Sequence, residues 1–305
     1  MCDFLFRKLP LHRFYRTSNH RSPGDLAWHA IITVVITSAQ NSKIQSVRAL
    51  QARSRERVST GAFVVEGVRL VEEGANSGWP ASLVLYSEDL STRGKQVVAH
   101  LANSGAEVEL VAGHVLASIA DTNTPQGLMA VFTTQAQPIP EAIDFVIIAD
   151  GLRDPGNLGT LLRTTAAAGA QMLIVTPGSV DAFAPKVLRA AMGAHFHLPI
   201  QNLDWLEIQH LLKDRPSPLR LFLADADQGL ACWETNLCQP CALIIGSEAE
   251  GASQPARDLA DASLTIPMPG KSESLNAAVA ASILIFEVVR QRASSIPHLD
   301  LKTIL

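Results

Sequence analysis

The sequence predicts an α/β fold in two domains, and three observations carry that prediction. Short aliphatic runs alternate with helical patterns along most of the chain. The stretch QAQPIPEA at 135–142 reads as a linker, since two prolines among small and polar residues continue neither neighbour. The segment LTIPMPGKSESLNAAVAASILIFEVVRQR at 264–292 reads as a strand end, a tight loop and a long final helix. The length of 305 residues accommodates two domains, at 35–134 and 143–293, with a basic extension at 1–34 and a tail at 294–305.

The totals exclude some classes of function. A net charge of −4 is not that of a protein coated in positive charge, so any nucleic-acid contact comes from a local basic patch. The longest nearly apolar run, 277–286, is about half the length a bilayer helix needs, so no membrane span is expected. Cys2, Cys232, Cys238 and Cys241 are too few and too clustered for a disulfide framework, which points to a reducing cytoplasm. The CQPC at 238–241 has no matching ligand pair elsewhere, so no metal site is expected and the cysteines read as structural or incidental.

In chain order, residues 1–34 carry Arg7, Lys8, Arg13, Arg16 and Arg21 against Asp3 and Asp25, with no apolar periodicity. This reads as a disordered extension: a translation start assigned too early, a transit-like peptide or a loose nucleic-acid-binding arm. From Asn41 a helical spacing begins at Ile44, Val47 and Leu50, with Lys43, Arg48, Arg53, Arg55 and Arg57 between. Either a solvated helix face or a phosphate-contacting one has this composition. Strands are expected at 62–65, 82–86, 108–111 and 128–133, and helices from 68, at 96–102 and at 115–120.

The second domain opens on the apolar run 145–149, followed by DGLRDPGNLGTLLRTTAAAGA. Gly156 and Gly159 permit close backbone approach, and Asn157 lies near a helix N-terminus, where exposed N–H groups favour an anion. A strand at 172–175 leads to a helix opened by Pro185, with Lys186 and Arg189 on one face. His195 and His197 alternate with apolar residues and read as ordinary strand residues. Strands at 219–224 and 242–245 follow, the second running into GSEAEGAS, which brings Glu248 and Glu250 to a strand's carboxyl end, where open α/β sheets bind ligands. No G-x-G-x-x-G is present, so a dinucleotide or nucleotide cofactor would be held by another device.

Three of these stretches, DPGNLGTLLR, IIGSEAEG and IPMPGKSESLN with its Ala-rich helix, resemble the three motifs of the SpoU/TrmH family. These are RNA ribose 2′-O-methyltransferases of the knotted SPOUT superfamily. The resemblance implies S-adenosylmethionine (AdoMet) as cofactor, a catalytic domain closed by a deep trefoil knot, and a homodimer, to which the nearly all-apolar last helix also points. FVVEGVRLVEEG resembles the family's N-terminal RNA-binding domain, whose fold is shared with ribosomal proteins.

Carried over residue by residue, Gly246, Ile266, Met268 and Leu275 hold the cofactor. Arg163, Asn157, Glu248, Ser274 and Asn276 form the catalytic group. Arginine is a poor base, so Arg163 is expected to hold a phosphate and steady a developing alkoxide. Lys43, Arg48, Arg53, Arg57, Lys186 and Arg189 are the candidate RNA contacts. The substrate expected is RNA, ribosomal in preference to transfer RNA; a non-catalytic RNA-binding or ribosome-assembly protein is the rival.

Overall fold

Helices on both faces of a wholly parallel sheet, joined to a smaller mixed sheet, make up the chain in a computed structural model that describes residues 35–248, 250–270 and 274–295. The expected extension at 1–34 and nearly all of the tail at 294–305 lie outside the described residues.

The first half runs α1 (Ser42–Ala52), α2 (Ser54–Thr60), β1 (Ala62–Glu66), α3 (Val68–Asn76), β2 (Ala81–Tyr86), α4 (Thr92–Asn103), β3 (Glu107–Leu110), α5 (Gly113–Ala117) and β4 (Leu128–Thr133). Its sheet has the order β1-β4-β2-β3, with β4 antiparallel to both neighbours. One continuous helix was expected over the basic stretch near 43–57, but the chain breaks at Arg53, which is extended (φ −127°, ψ 118°). That break turns Arg57 inward instead of onto the basic face.

The second half runs β5 (Phe145–Ala149), α6 (Pro155–Ala167), β6 (Met172–Val175), α7 (Pro185–Ala191), a 3₁₀ turn (Ala194–Phe196), β7 (Ile200–Asn202), α8 (Trp205–Leu212), β8 (Arg220–Ala224), β9 (Leu230–Ala231), β10 (Cys241–Ile245), α9 (Gln254–Leu259), β11 (Ala262–Thr265) and α10 (Ala277–Ser295). The sheet order is β7-β6-β5-β10-β8-β11-β9, and every pairing is parallel. The chain builds outward from β5 in one direction and then returns to the other side, so β5 and β10 flank the switch point where such sheets bind ligands. Phe145, Ile147 and Ala149 face a core with α6, α7 and α10, while Val146 and Ile148 face another with α8 and α9. This is why β5 reads as an unbroken apolar run.

Two further details depart from expectation. His195 and His197 lie in and just after a 3₁₀ turn, not on a strand, because Met192 (φ 51°) and Gly193 (φ 95°) turn left-handed and redirect the chain. The buried His195 ring shares a 2.7 Å hydrogen bond between Nε2 and the Ala182 carbonyl oxygen, and its Nδ1 has no partner among the described residues. Burial pushes its pKa down to about 4 from 6.5. The unfolded ring takes up a proton that the folded one refuses, so stability is full above the ordinary value and falls as pH drops toward 4. A His195→Phe chain should therefore lose less stability than the wild type between about pH 7 and about pH 5, read from urea midpoints. The second departure is α8, which the spacing did not pick out although Asp204 and Glu207 form its capping box.

The described residues form one compact unit. Residues 134–142 contain no helix or strand, yet the two sheets share an aromatic cluster. Phe63 of β1 lies 4.8 Å from Phe183 and 5.7 Å from Trp79, and Trp79 lies 5.4 Å from Phe196, ring centroid to centroid. Trp79 Nε1 donates to the Phe196 carbonyl at 3.3 Å. Within the larger half, Gly159 brings α6 against α7: a Cβ there would lie 2.4 Å from Ala190 Cβ and 2.7 Å from the Val187 carbonyl oxygen. Gly159→Ala is expected to cost about 2 kcal/mol in overpacking, measurable as a lower urea midpoint.

Candidate active site

A cavity of about 780 Å³ opens at the carboxyl ends of β8, β10 and β11. Its walls come from three connections: Ala224–Gln228 after β8, Gly246–Ala252 after β10, and the segment from Ile266 into α10. Gly246, Ile266, Met268 and Leu275 all line it, as do Glu248, Ser274 and Asn276. At Gly246 the backbone is so close to the far side of its own loop that a Cβ would lie 2.6 Å from the Ala252 nitrogen. The loop closes on itself through two 3.0 Å hydrogen bonds between Ser247 and Gly251, the latter left-handed at φ 67°.

At the mouth of this cleft a chain of hydrogen bonds joins the three motif stretches. Asp154 caps α6 by accepting from the Asn157 backbone N–H at 2.8 Å, which places the Asn157 side chain at the helix start. The Asn157 Nδ2 group donates to the Glu248 carboxylate. Asn157 Oδ1 accepts from Asn276 Nδ2 at 2.9 Å, and Asn276 Oδ1 caps α10 by accepting from Ala278 and Val279 N–H groups at 3.0 and 3.2 Å. Each amide is thereby fixed in orientation: the oxygen of Asn276 is held by a helix start, so its nitrogen must face Asn157. Beside them Arg153 makes a two-point pair with Glu250 at 2.9 and 3.0 Å. Both side chains are well exposed, so this pair adds little to stability.

Arg163 is not joined to this group. It is exposed on α6 and has no hydrogen bond or ion pair among the described residues. Six residues beyond Asn157, it lies about 9 Å further along the axis and is turned by about 240°.

The sequence reading missed Asp225, Asp227, Gln228 and Arg257 as cleft residues, and missed Asp150. Asp225 closes its own turn, accepting from the Asp227 and Gln228 N–H groups at 2.9 and 3.1 Å, and pairs with Arg257 at 3.5 Å. The signal was present in ADADQG, an Asx-turn composition following a strand.

The basic residues separate into two groups. Arg57 is 7% exposed and holds Asp181 through Nε at 2.7 Å and Nη2 at 2.6 Å, while Nη1 donates to the Leu50 carbonyl at 2.6 Å. It is a clamp between the halves of the chain, and the same side chain also lines the groove described below. Lys43 is tied to Glu107 at 2.8 Å and to Glu109, hydrogen bonds that raise its pKa, and Arg189 is tied to Asp121. Arg53 and Lys186 are exposed with no pairing among the described residues, and Arg48 makes one 3.4 Å hydrogen bond to Ser118. Arg48, Lys186 and Pro155 share a groove of about 460 Å³ that leads from α1 and α5 to the start of α6.

No group of His, Cys, Asp and Glu able to hold a metal ion occurs among the described residues. Burial pushes the Cys241 thiol up to about 11. No described helix is long and apolar enough to cross a membrane.

Residues 144–286 match the model of the SpoU rRNA Methylase family, and residues 41–130 that of the MRM3-like substrate binding domain. The chain is 31% identical over 253 residues to the 23S rRNA (guanosine(2553)-2′-O)-methyltransferase of Bacillus subtilis, covering 83% of this chain and 98% of that one. It is 31% identical to human mitochondrial rRNA methyltransferase 3 over 82% of this chain and 72% of that one. Among solved structures, the SpoU methyltransferase AviRb of Streptomyces viridochromogenes in complex with AdoMet has a TM-score of 0.76 at 31% identity, covering 84% of this chain and 99% of that one. An AdoMet-bound rRNA methyltransferase from Sinorhizobium meliloti has a TM-score of 0.75 at 28% identity, covering 85% and 98%. With the three motif stretches meeting at one cleft and likeness running through both sheets, this chain belongs to the SpoU rRNA methylase family.

Proposed function

We propose that this SpoU-family methyltransferase moves the methyl group of AdoMet to a ribose 2′-hydroxyl of ribosomal RNA. The observation that carries the reading is the hydrogen-bonded chain Glu248–Asn157–Asn276 at the mouth of the cleft. The cleft fits the cofactor: it is about 780 Å³, and Gly246 keeps its backbone bare where a Cβ would fill the fold of the loop. Gly246, Ile266, Met268 and Leu275 would hold the adenosine by main-chain and apolar contact. When bound, AdoMet supplies a methyl group already activated on a sulfonium.

The protein's part is then placement and charge. Asn157 and Asn276, locked by their partners, orient the ribose; Glu248 fixes Asn157, and Ser274 sits in the same wall. Arg163 holds the adjoining phosphate and steadies negative charge on the 2′-oxygen as its proton leaves. Arg48 and Lys186, which line the groove between the halves, and the exposed Arg53 hold the RNA backbone, whereas Lys43 and Arg189 are largely spent on internal pairs. We place its site of action in the cytoplasm.

The same reading includes a homodimer. Val279, Ile283 and Phe286 form an exposed apolar stripe on α10, 48%, 40% and 48% accessible, opposite the buried Ala281, Leu284, Ile285 and Val288. Thr164 of α6 meets Ser282 of α10 at 3.2 Å, so Arg163 and Ile283 each flank that contact by one residue. Ile283→Glu should shift sedimentation from dimer to monomer; an unchanged dimer would place the contact elsewhere.

The test of the activity is transfer of labelled methyl from AdoMet to unmodified total RNA, with large ribosomal RNA resolved from transfer RNA. Label in ribosomal RNA supports the proposal. Label in transfer RNA keeps the chemistry and replaces the substrate, and binding of AdoMet without transfer to any RNA sinks the catalytic reading.

A further inference from the structure

We infer that Asp150 is a positioning residue for the cofactor loop, and that its buried charge favours the cationic sulfonium cofactor over its neutral thioether product. The inference rests on the AdoMet reading above. Asp150 directly follows β5 beside the switch point and is 3% exposed. Its backbone N–H donates to the Ile245 carbonyl at 2.8 Å, where the cofactor loop leaves β10. Its Oδ2 accepts from the Ser253 N–H at 2.7 Å, and its Oδ1 accepts from the Ser253 hydroxyl at 3.1 Å, where the same loop enters α9.

Between those two anchors lie Gly246, Ser247, Glu248, Gly251 and Ala252, all of which line the cleft. One residue just past the neighbouring strand thus holds both ends of the loop. The Thr176 hydroxyl donates to Oδ1 at 3.1 Å and ties the assembly to the end of β6.

The second part concerns charge. The donors to Asp150 are two hydroxyls and an amide, and no cation among the described residues pairs with it. Behind the cleft wall, in a poorly screened interior, a carboxylate without a formal counter-charge attracts positive charge in the cleft. AdoMet carries that charge on sulfur; S-adenosylhomocysteine, left after the methyl group departs, does not. The same carboxylate would then favour cofactor binding and product release together.

The test is calorimetric affinity for AdoMet and for S-adenosylhomocysteine, on the full chain, in the wild type, Asp150→Asn and Ser253→Ala. Asp150→Asn is expected to weaken AdoMet about tenfold and S-adenosylhomocysteine by no more than about threefold. Ser253→Ala, which loosens the loop but keeps the charge, should weaken both by a similar factor. Equal losses for both ligands in Asp150→Asn would remove the charge from the account, and no loss for either would overturn the inference. If Asp150→Asn does not fold, Asp150→Glu decides: it keeps the charge but moves the carboxylate off both the Ser253 N–H and its hydroxyl, so it should weaken both ligands alike, and unchanged affinities there defeat the anchoring. A wild type that binds neither ligand would instead overturn the AdoMet reading.

Discussion

Arg163→Ala is expected to lower the rate of methyl transfer by about a hundredfold to a thousandfold while leaving AdoMet affinity nearly unchanged. The separation of the two effects follows from position. Arg163 is not among the residues lining the cleft, so removing its side chain takes nothing from the cofactor. It is exposed on α6 and uncommitted among the described residues, as a cation that holds a phosphate only once RNA arrives must be. Lysine should restore only part of the rate, because a point charge replaces a planar fork. Single-turnover methyl transfer and calorimetric AdoMet binding on the same preparation make the comparison. A rate within about threefold of wild type, or a parallel loss of cofactor affinity, would remove Arg163 from the proposed role.

Arg57→Ala is expected to reduce folding stability by about 4 kcal/mol, with a large fall in the urea midpoint. The guanidinium is 7% exposed and donates to Asp181, Leu50 and Gln51, the last at 3.2 Å, and it is the cation paired with Asp181. Ser54 gives Asp181 one further hydroxyl at 2.8 Å, too little to replace a cation. Removal of the arginine leaves a partly buried carboxylate and two carbonyls short of partners. Adding Asp181→Ala should recover part of the loss, because the uncompensated charge goes with it. A loss below about 1 kcal/mol would return Arg57 to the ordinary surface cations.

The two arginines show how much of the site was legible in the sequence. The motif stretches carried Asn157, Glu248, Ser274 and Asn276 as a group, and the structure brings Asn157, Glu248 and Asn276 together by direct hydrogen bonds, with Ser274 in the same cleft wall. The four residues assigned to the cofactor all line the cleft. The basic face was legible only as composition. Its cations resemble one another in sequence, yet Arg57 is buried, Lys43 is neutralised by two glutamates and Arg53 is exposed. Burial of Arg57 turns on the extended geometry of Arg53, which breaks the helix where the apolar spacing predicted continuity.

The sequence by itself determined the order and type of most strands and helices, the family, the chemistry of the cleft walls and the apolar character of α10. These are local properties: apolar period, turn and cap residues, and motif spacing. Tertiary structure alone decided which charges remain available, why α10 keeps one apolar stripe exposed while burying the other, and that Asp150 holds both ends of the loop after β10. Arg57 and Asp181 lie 124 residues apart, and Asp150 and Ser253 lie 103 apart. The identity of a charge's partner depends on which distant segment the fold brings within about 3 Å of it, and no local period encodes that.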